Sequence, residues 1–141
     1  MTTEEAATDP TRVLYVDDDA ALTELVAQFL ERLDDGLVVD TATLAEEGLR
    51  RLLDPTADYD CVVSDFQMPG MNGEEFLHAV RADQPEMPFV LFTGEGNDAL
   101  ERRVTADAAA YLRKGTGTDQ YRVLGRRIRR VVGRSSDLDD R

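Results

Sequence analysis

The chain has 141 residues, of which 42% are hydrophobic, so it is long enough for one domain with a single core. Its net charge of −13 disfavours direct binding to nucleic acid or to an anionic membrane surface. No apolar stretch approaches the roughly 18 residues of a membrane-spanning helix, and the acidic start lacks the features of a secretory signal, so we expect a cytoplasmic location.

The balance of charged residues points to a particular habitat. Acidic residues outnumber basic ones by 29 to 16, and every basic residue except Lys114 is an arginine. A surface rich in carboxylates and poor in lysine stays hydrated at high salt, where ions screen the repulsion among the acids. The composition therefore indicates a halophilic host, and we expect the protein to become more stable in molar KCl.

Short apolar segments alternate with helical patterns along the chain. Apolar residues spaced three and four apart between positions 22 and 33 predict the first amphipathic helix, which Asp34-Asp35-Gly36 ends. A weaker, polar helix is expected at 98–106, and Thr118 is a plausible N-cap for the last helix. The segments expected to form strands are 13–16, 37–39, 61–64, 89–92 and 110–113.

This alternation predicts an α/β fold built as (βα)5. Right-handed crossovers favour a flavodoxin-like, doubly wound parallel sheet of five strands in the order 2-1-3-4-5. We expect a disordered acidic tail at 1–10, the folded domain at 11–133, and a C-terminal tail or the start of a linker at 134–141.

Polar residues suited to phosphoryl chemistry follow four of the expected strands. Asp17-Asp18-Asp19, Asp65, Thr93 and Lys114 each come directly after an apolar run. Because ligands bind outside the carboxyl ends of such strands, we expect these side chains to converge on one crevice. Adjacent carboxylates repel one another, and Mg²⁺ relieves that repulsion with only a few protein ligands. Asp19 could instead cap the following helix.

Three other features have simple structural interpretations. Cys61, the only cysteine, lies inside an apolar run and is expected to be a buried small hydrophobe. His78 is expected on the surface of a helix. The segment from Arg113 to Arg134 holds eight basic residues and one acid, Asp119, either as a solvated helix face or as a docking face.

The pattern resembles the receiver domain of two-component response regulators, over essentially Thr11 to Gly133. The motifs that carry the resemblance stand in the family's order. They are the acidic pair after the first strand, the acid after the third, the loop Met68-Pro69-Gly70-Met71-Asn72-Gly73, the threonine after the fourth, and Tyr111-x-x-Lys114. The segment 114–121 also resembles receivers of haloarchaeal signalling proteins.

The resemblance implies a role for each site residue. Asp65 would be the phosphoacceptor, and Thr93 and Lys114 would bind the phosphoryl group. Asp18, Asp65 and the backbone carbonyl of Gln67 would ligate Mg²⁺, with Asp17 acting mainly through water. Tyr111 would be the switch aromatic, which turns inward as Thr93 moves toward the phosphoryl group.

Two positions depart from the family's pattern. Lys114 precedes Gly115, where many receivers have Lys-Pro with a cis peptide bond, and a cis bond is improbable without proline. Asp107 stands where a glycine often precedes the fifth strand, and Asp tolerates a left-handed backbone better than most residues.

The expected function is a signalling switch with no catalytic activity beyond its own phosphorylation and dephosphorylation. The resemblance implies a histidine kinase or phosphotransfer protein as donor, and a downstream signalling protein or a fused sensor or kinase module as receiver. The last helices are where we expect a homodimer interface. Two alternatives remain: a Mg²⁺-dependent phosphohydrolase with an aspartate nucleophile, and an interaction module that works without phosphorylation.

Overall fold

The computed structural model describes residues 9–94 and 96–139, with side chains given up to residue 133. Within this part of the chain five strands alternate with five helices. The elements are β1 Thr11–Val16, α1 Ala20–Leu33, β2 Leu37–Ala42, α2 Ala45–Leu53, β3 Cys61–Ser64, α3 Gly73–Asp83, β4 Phe89–Thr93, α4 Asp98–Ala106, β5 Ala110–Arg113 and α5 Asp119–Asp139.

All four strand pairings are parallel, and the strand order is β2-β1-β3-β4-β5. This confirms the doubly wound sheet that the alternation predicts. The first and third strands are direct neighbours, with Val16 opposite Ser64. The residues that follow these two strands therefore start from adjacent positions at one edge of the sheet.

Two apolar clusters cover the two faces of the sheet. On one face α1 and α5 pack their buried side chains, Val26, Leu30, Leu124 and Ile128 among them, against odd-numbered residues of β1. On the other face α2, α3 and α4 pack against the alternate residues of the strands. β3 and β4 are buried along their whole length, as expected for central strands covered on both sides. Cys61 is buried within β3, as predicted.

Side-chain caps fix where three helices begin. Asp19 accepts a hydrogen bond from the backbone N–H of Leu22 at the start of α1. Asn72 and Glu75 form a reciprocal capping box on α3, and Asn97 accepts from the N–H of Leu100 on α4. Each capped start follows a strand end, so the caps hold the connections that carry the site residues.

Some element boundaries differ from the expected ones. β2 continues to Ala42 because its polar half pairs with β1 as regularly as its apolar half. The helix α5 continues to Asp139, past the expected boundary at Gly133. The left-handed residue before β5 is Ala108, with φ 63°, whereas Asp107 has an ordinary φ of −91°. No helix among the described residues is long and apolar enough to cross a membrane.

The first residue of α3 has no room for a side chain. A Cβ at Gly73 would overlap the backbone carbonyl oxygen of Asp65 and lie 2.8 Å from Cδ1 of Leu91. The N–H of Gly73 also donates to the carbonyl of Phe66 at 2.8 Å. The loop that follows β3 is therefore closed tightly on the backbone of Asp65, and a glycine makes that approach possible.

We expect Gly73→Ala to lower the free energy of unfolding by about 3 kcal/mol, because the methyl group meets backbone that cannot move independently. Gly133→Ala is the matched control, since a Cβ there meets nothing within 4 Å. That helical substitution should raise stability by about 0.5–1 kcal/mol. Urea unfolding of the three proteins measures both effects, and equal stabilities would contradict the close packing of Gly73.

Candidate functional site

The acidic residues after β1 are placed by the sheet and by the cap of α1. The N–H of Asp17 donates to the carbonyl of Ala42 at 3.1 Å, which continues the pairing of β1 with β2. Asp17 is only 2% exposed, and its Oδ1 accepts from the N–H of Asp19 at 3.0 Å. Asp18 is exposed, and Asp19 serves as the N-cap. The three neighbouring carboxylates thus have three different environments.

Asp65 is held from both sides of its backbone. Its N–H donates to the carbonyl of Val16 at 2.9 Å, and its own carbonyl accepts from the hydroxyl of Ser64 at 2.8 Å. The Oδ1 atom accepts from the N–H of Phe66 at 2.8 Å. The Asp65 side chain is 13% exposed, so its carboxylate is oriented by the protein and still reaches solvent.

The ammonium group of Lys114 joins the two carboxylates. Its Nζ lies 3.2 Å from Oδ2 of Asp17 and 3.7 Å from Oδ1 of Asp65. It also lies 5.6 Å from the centre of the Phe92 ring, within the range of a cation–π contact. The N–H of Lys114 donates to the carbonyl of Thr93 at 3.0 Å. No cis peptide bond occurs in the described residues, so the bond to Gly115 is trans.

Three carboxylates lie close enough together to bind one divalent cation. One oxygen from each of Asp17, Asp18 and Asp65 can be chosen so that all three lie within 4.8 Å of one another. Hard oxygen donors in a partly solvated pocket suit Mg²⁺, which keeps several waters when it binds protein. The residues present therefore fit a magnesium ion at this cluster.

Burial raises the pKa of the Asp65 carboxyl above its ordinary value. The Lys114 ammonium acts in the opposite direction, and the negative charges of Asp17 and Asp18 add to the upward shift. The N–H of Phe66 lowers the pKa by donating to the charged form. The upward effects prevail, so folding disfavours the ionised form of Asp65 relative to the unfolded chain.

Thr93 and Tyr111 lie on the neighbouring strands β4 and β5. Thr93 is fully buried at the end of β4, and Tyr111 is 8% exposed. A Cβ on Gly96 would overlap the hydroxyl of Tyr111, so the loop after Thr93 passes directly over that ring. Gly96 is not in a left-handed conformation, and the missing side chain here provides space for the aromatic ring.

Gln67 lies in an open cleft beside the carboxylates. The cleft has a volume of about 420 Å³ and is lined by Asp18, Phe66, Gln67, Met68, Pro69 and Asn72. Gln67 is exposed there, whereas Met68 is buried and anchors the loop to the core.

The structure brings together most of the residues that the sequence indicates. Asp17, Asp18, Asp65 and Lys114 meet at one edge of the sheet, and the end of β4 is joined to Lys114 through the carbonyl of Thr93. His78 is exposed, as predicted, and its Nε2 lies 3.0 Å from Oδ2 of Asp107. Glu95, in the loop after Thr93, lies outside the described residues.

Sequence patterns did not identify the groups that position Asp65. These are the Ser64 hydroxyl, the N–H of Phe66 and the bare Cα of Gly73. The N–H of Phe66 is a backbone donor that any residue except proline offers, and a serine at the end of a strand is too common to indicate this role. The one available signal is a glycine directly after an Asn N-cap, because glycine is normally disfavoured within a helix.

Comparison with known proteins agrees with this geometry. The family model of the response regulator receiver domain matches residues 13–123. The transcriptional regulatory protein ResD of Bacillus subtilis (strain 168) is 32% identical over 131 residues, which cover 93% of this chain and 49% of ResD. The chain thus spans about half the length of this curated relative.

Two solved structures are similar over most of the chain. A receiver domain protein from Clostridium thermocellum has a TM-score of 0.80 and 27% identity, with 91% of this chain and 98% of that chain covered. The response regulator TrrA from Thermotoga maritima, solved in complex with Mg²⁺ and BeF, has a TM-score of 0.68 and 26% identity, with coverage of 84% and 98%. With its strand order, its acidic site and this match, the chain belongs to the family of response regulator receiver domains.

Proposed function

We propose that the chain is a phosphorylation-controlled switch that accepts a phosphoryl group on Asp65 in a Mg²⁺-dependent reaction. Receiver domains are in general phosphoacceptor switches of two-component signalling, and they bind Mg²⁺ at an acidic pocket. In this proposal a histidine kinase or a phosphotransfer protein supplies the phosphoryl group. Phosphorylation and dephosphorylation of Asp65 itself are the only reactions we assign to the chain.

The contact of Lys114 with both Asp17 and Asp65 carries the proposal. The ammonium reaches these carboxylates from the end of β5, across β4 and β3, at 3.2 and 3.7 Å. An ammonium group placed between two carboxylates reduces their mutual repulsion, and it can also bind a phosphoryl oxygen. The residue is also the single lysine of a chain that otherwise uses arginine.

In the transfer step a carboxylate oxygen of Asp65 attacks the phosphorus atom in line with the bond to the donor. A P–O bond to Asp65 forms, the P–N bond to a donor histidine breaks, and its electron pair stays on the imidazole. Such transfer needs charge neutralisation more than covalent help. Lys114 pairs with a phosphoryl oxygen, and a cation held by Asp17, Asp18, Asp65 and the Gln67 carbonyl would neutralise further charge.

The product would change which contacts are favourable around β4 and β5. A phosphoryl group adds negative charge and acceptor oxygens beside Asp65. The Thr93 hydroxyl and the Lys114 ammonium can bind these oxygens only in the phosphorylated protein, so the contacts of both groups differ between the two states. Movement of Thr93 would alter the space next to Tyr111, which lies under Gly96. We propose that the loop after Thr93 and α4 carry this change to the surface.

The phosphohydrolase alternative has less support. Such an enzyme usually has a second acid shortly after the nucleophile to protonate the leaving group. Gln67 stands two residues beyond Asp65 and cannot donate a proton as a carboxylic acid does. A phosphorylation-independent module would have no need for the acids, the threonine and the lysine together.

We extend the proposal to the setting of the switch. The output passes to a downstream signalling protein or to a fused sensor or kinase module, in the cytoplasm of a halophilic archaeon. The acidic composition supports the habitat, and the exposed arginines of α5 offer a surface for a homodimer. Arg129 already has an internal role, because its guanidinium binds Asp34 at 2.6 and 2.9 Å and Thr11 at 2.8 Å.

We expect the wild-type protein to gain the mass of one phosphoryl group when incubated with Mg²⁺ and acetyl phosphate. Asp65→Asn should gain none, because its amide is not a nucleophile, and EDTA should prevent the reaction of the wild type. Intact-protein mass spectrometry measures each result. Absence of an adduct on the wild type would refute the switch, and many turnovers on small phosphate esters would favour the hydrolase.

We also expect Asp65→Asn to stabilise the fold at neutral pH. The folded protein raises the pKa of this carboxyl, so the wild type loses stability relative to Asn as pH rises through that elevated value. The gain should be no more than about 1 kcal/mol, since solvent and Lys114 screen the charge. It should vanish below the unfolded carboxyl pKa of about 3.9.

Denaturant unfolding across this pH range measures the effect, with Asp54→Asn as the control of opposite sign. The N–H and hydroxyl of Thr56 donate to Asp54 and lower the pKa of its carboxyl, so that substitution should destabilise the fold above the unfolded pKa. An Asp65→Asn protein less stable than wild type at pH 7 would contradict the charge balance derived for the site.

A further inference from the structure

Three polar residues on one side of α3 contact α4 or the turn that follows it. Glu74, His78 and Arg81 are spaced four and three residues apart, so their side chains lie along one face of the helix. They meet Arg103, Asp107 and the carbonyls of Asp107 and Ala108 respectively. We call this set of contacts the α3–α4 strap.

The contact between Glu74 and Arg103 has the best geometry in the strap. The guanidinium of Arg103 donates through Nε at 2.6 Å and through Nη2 at 3.0 Å to the two carboxylate oxygens. The Glu74 side chain is 15% exposed, and these hydrogen bonds lower the pKa of its carboxyl. A bidentate pair fixes the direction of both side chains, unlike most surface ion pairs.

Arg81 binds the C-terminal end of α4 from outside. Its Nε donates to the carbonyl of Asp107 at 2.8 Å and its Nη2 to that of Ala108 at 3.3 Å, while Nη1 reaches the carbonyl of Met87 at 2.7 Å. The last carbonyls of a helix lack partners within the helix and carry partial negative charge. A guanidinium from α3 therefore caps α4 and ties it to the approach to β4.

Apolar packing alone holds α4 weakly. Of its nine residues only Leu100 and Val104 are buried, and most of the others are charged or polar and exposed. Two buried side chains give a short helix little resistance to displacement along the sheet. The position of α4 thus depends on polar contacts from its neighbour α3 as well as on these two buried side chains.

We propose that the α3–α4 strap sets how readily phosphorylation moves α4, with Glu74 and Arg81 as positioning residues. This inference rests on the proposed function, in which α4 and the loop before it respond to events at Asp65. All three strap residues of α3 belong to the helix that starts from the loop after Asp65, so they connect the phosphorylation side of the sheet to α4. In the state described, Lys114 is paired with carboxylates, and the strap stabilises the α4 position of that state.

The direction of the effect follows from linkage between the two states. A contact made only before phosphorylation must be broken when α4 moves, so it opposes binding of a phosphoryl mimic. Removing the contact should therefore tighten that binding. For a pair that is partly solvent-exposed, the expected change is about two- to fivefold.

The first measurement needs no ligand at the site. In Glu74→Gln the amides of α4, that of Val104 among them, should exchange with deuterium about two- to fivefold faster than in wild type. Glu47→Gln is the matched control, because it removes an ion pair with Arg51 at 3.2 Å that lies within α2 alone. It should leave α4 unchanged, and unchanged α4 exchange in Glu74→Gln would overturn the strap.

The second measurement tests the coupling to the site. With Mg²⁺ present, beryllofluoride should bind Glu74→Gln with a two- to fivefold lower midpoint than wild type, and Arg103→Gln should behave alike. The double variant should add little beyond either single change, because the same contact is already lost. If the shifts in midpoint of the two single variants add in the double variant, Glu74 and Arg103 act separately. That result would overturn the pairing.

The outcomes separate this inference from the proposed function. If wild type fails to bind beryllofluoride, the proposed switch fails, and faster α4 exchange in Glu74→Gln would then show only a structural strap. If wild type binds and the midpoint does not move in either single variant, the switch stands and the inference is overturned. Arg81→Lys keeps the charge but loses the several N–H donors of the planar guanidinium. It should therefore lower the midpoint for beryllofluoride binding, as Glu74→Gln does.

Discussion

The repulsion among carboxylates at one edge of the sheet is the constraint on which the site depends. Asp17, Asp18 and Asp65 can place oxygens within 4.8 Å of one another, and burial of Asp65 makes their charges harder to hold. Lys114 is the cation that compensates from within the chain. That compensation requires β1, β3, β4 and β5 to lie in one parallel sheet, so the fold and the charge balance support each other.

The order of the fold and the chemical types at the site follow from the sequence, because both depend on regular patterns. Apolar runs and helical periodicity locate the strands and helices, and parallel strands place their carboxyl ends together. The finer placement does not follow in the same way. The polar half of β2 forms a strand because β1 pairs with it. The left-handed residue is Ala108 because α4 ends there, with the N–H groups of Ala108 and Ala109 donating back to the carbonyls of Thr105 and Val104.

The groups that orient Asp65 are harder still to foresee. The backbone N–H of Phe66 has no signature in residue type, and Gly73 marks only an unusual helix start without indicating its contact with Asp65. They act through the closure of the loop after β3, which is a property of the assembled backbone. The sequence therefore predicts Asp65 as the phosphoacceptor, whereas the contacts that fix its position are visible only in the structure.

The two ends of α3 connect the site to the rest of this face. Its first residue packs on the carbonyl of Asp65, and its third turn carries Arg81, which caps α4. A rigid helix between these contacts transmits a displacement at one end to the other, provided its own packing holds. Phe76, Leu77 and Val80 are buried along that length and supply the packing. The site and α4 are thus linked through α3 in addition to the direct route from Thr93 along the chain, and a helix with only two buried anchors is the element on which both routes can act.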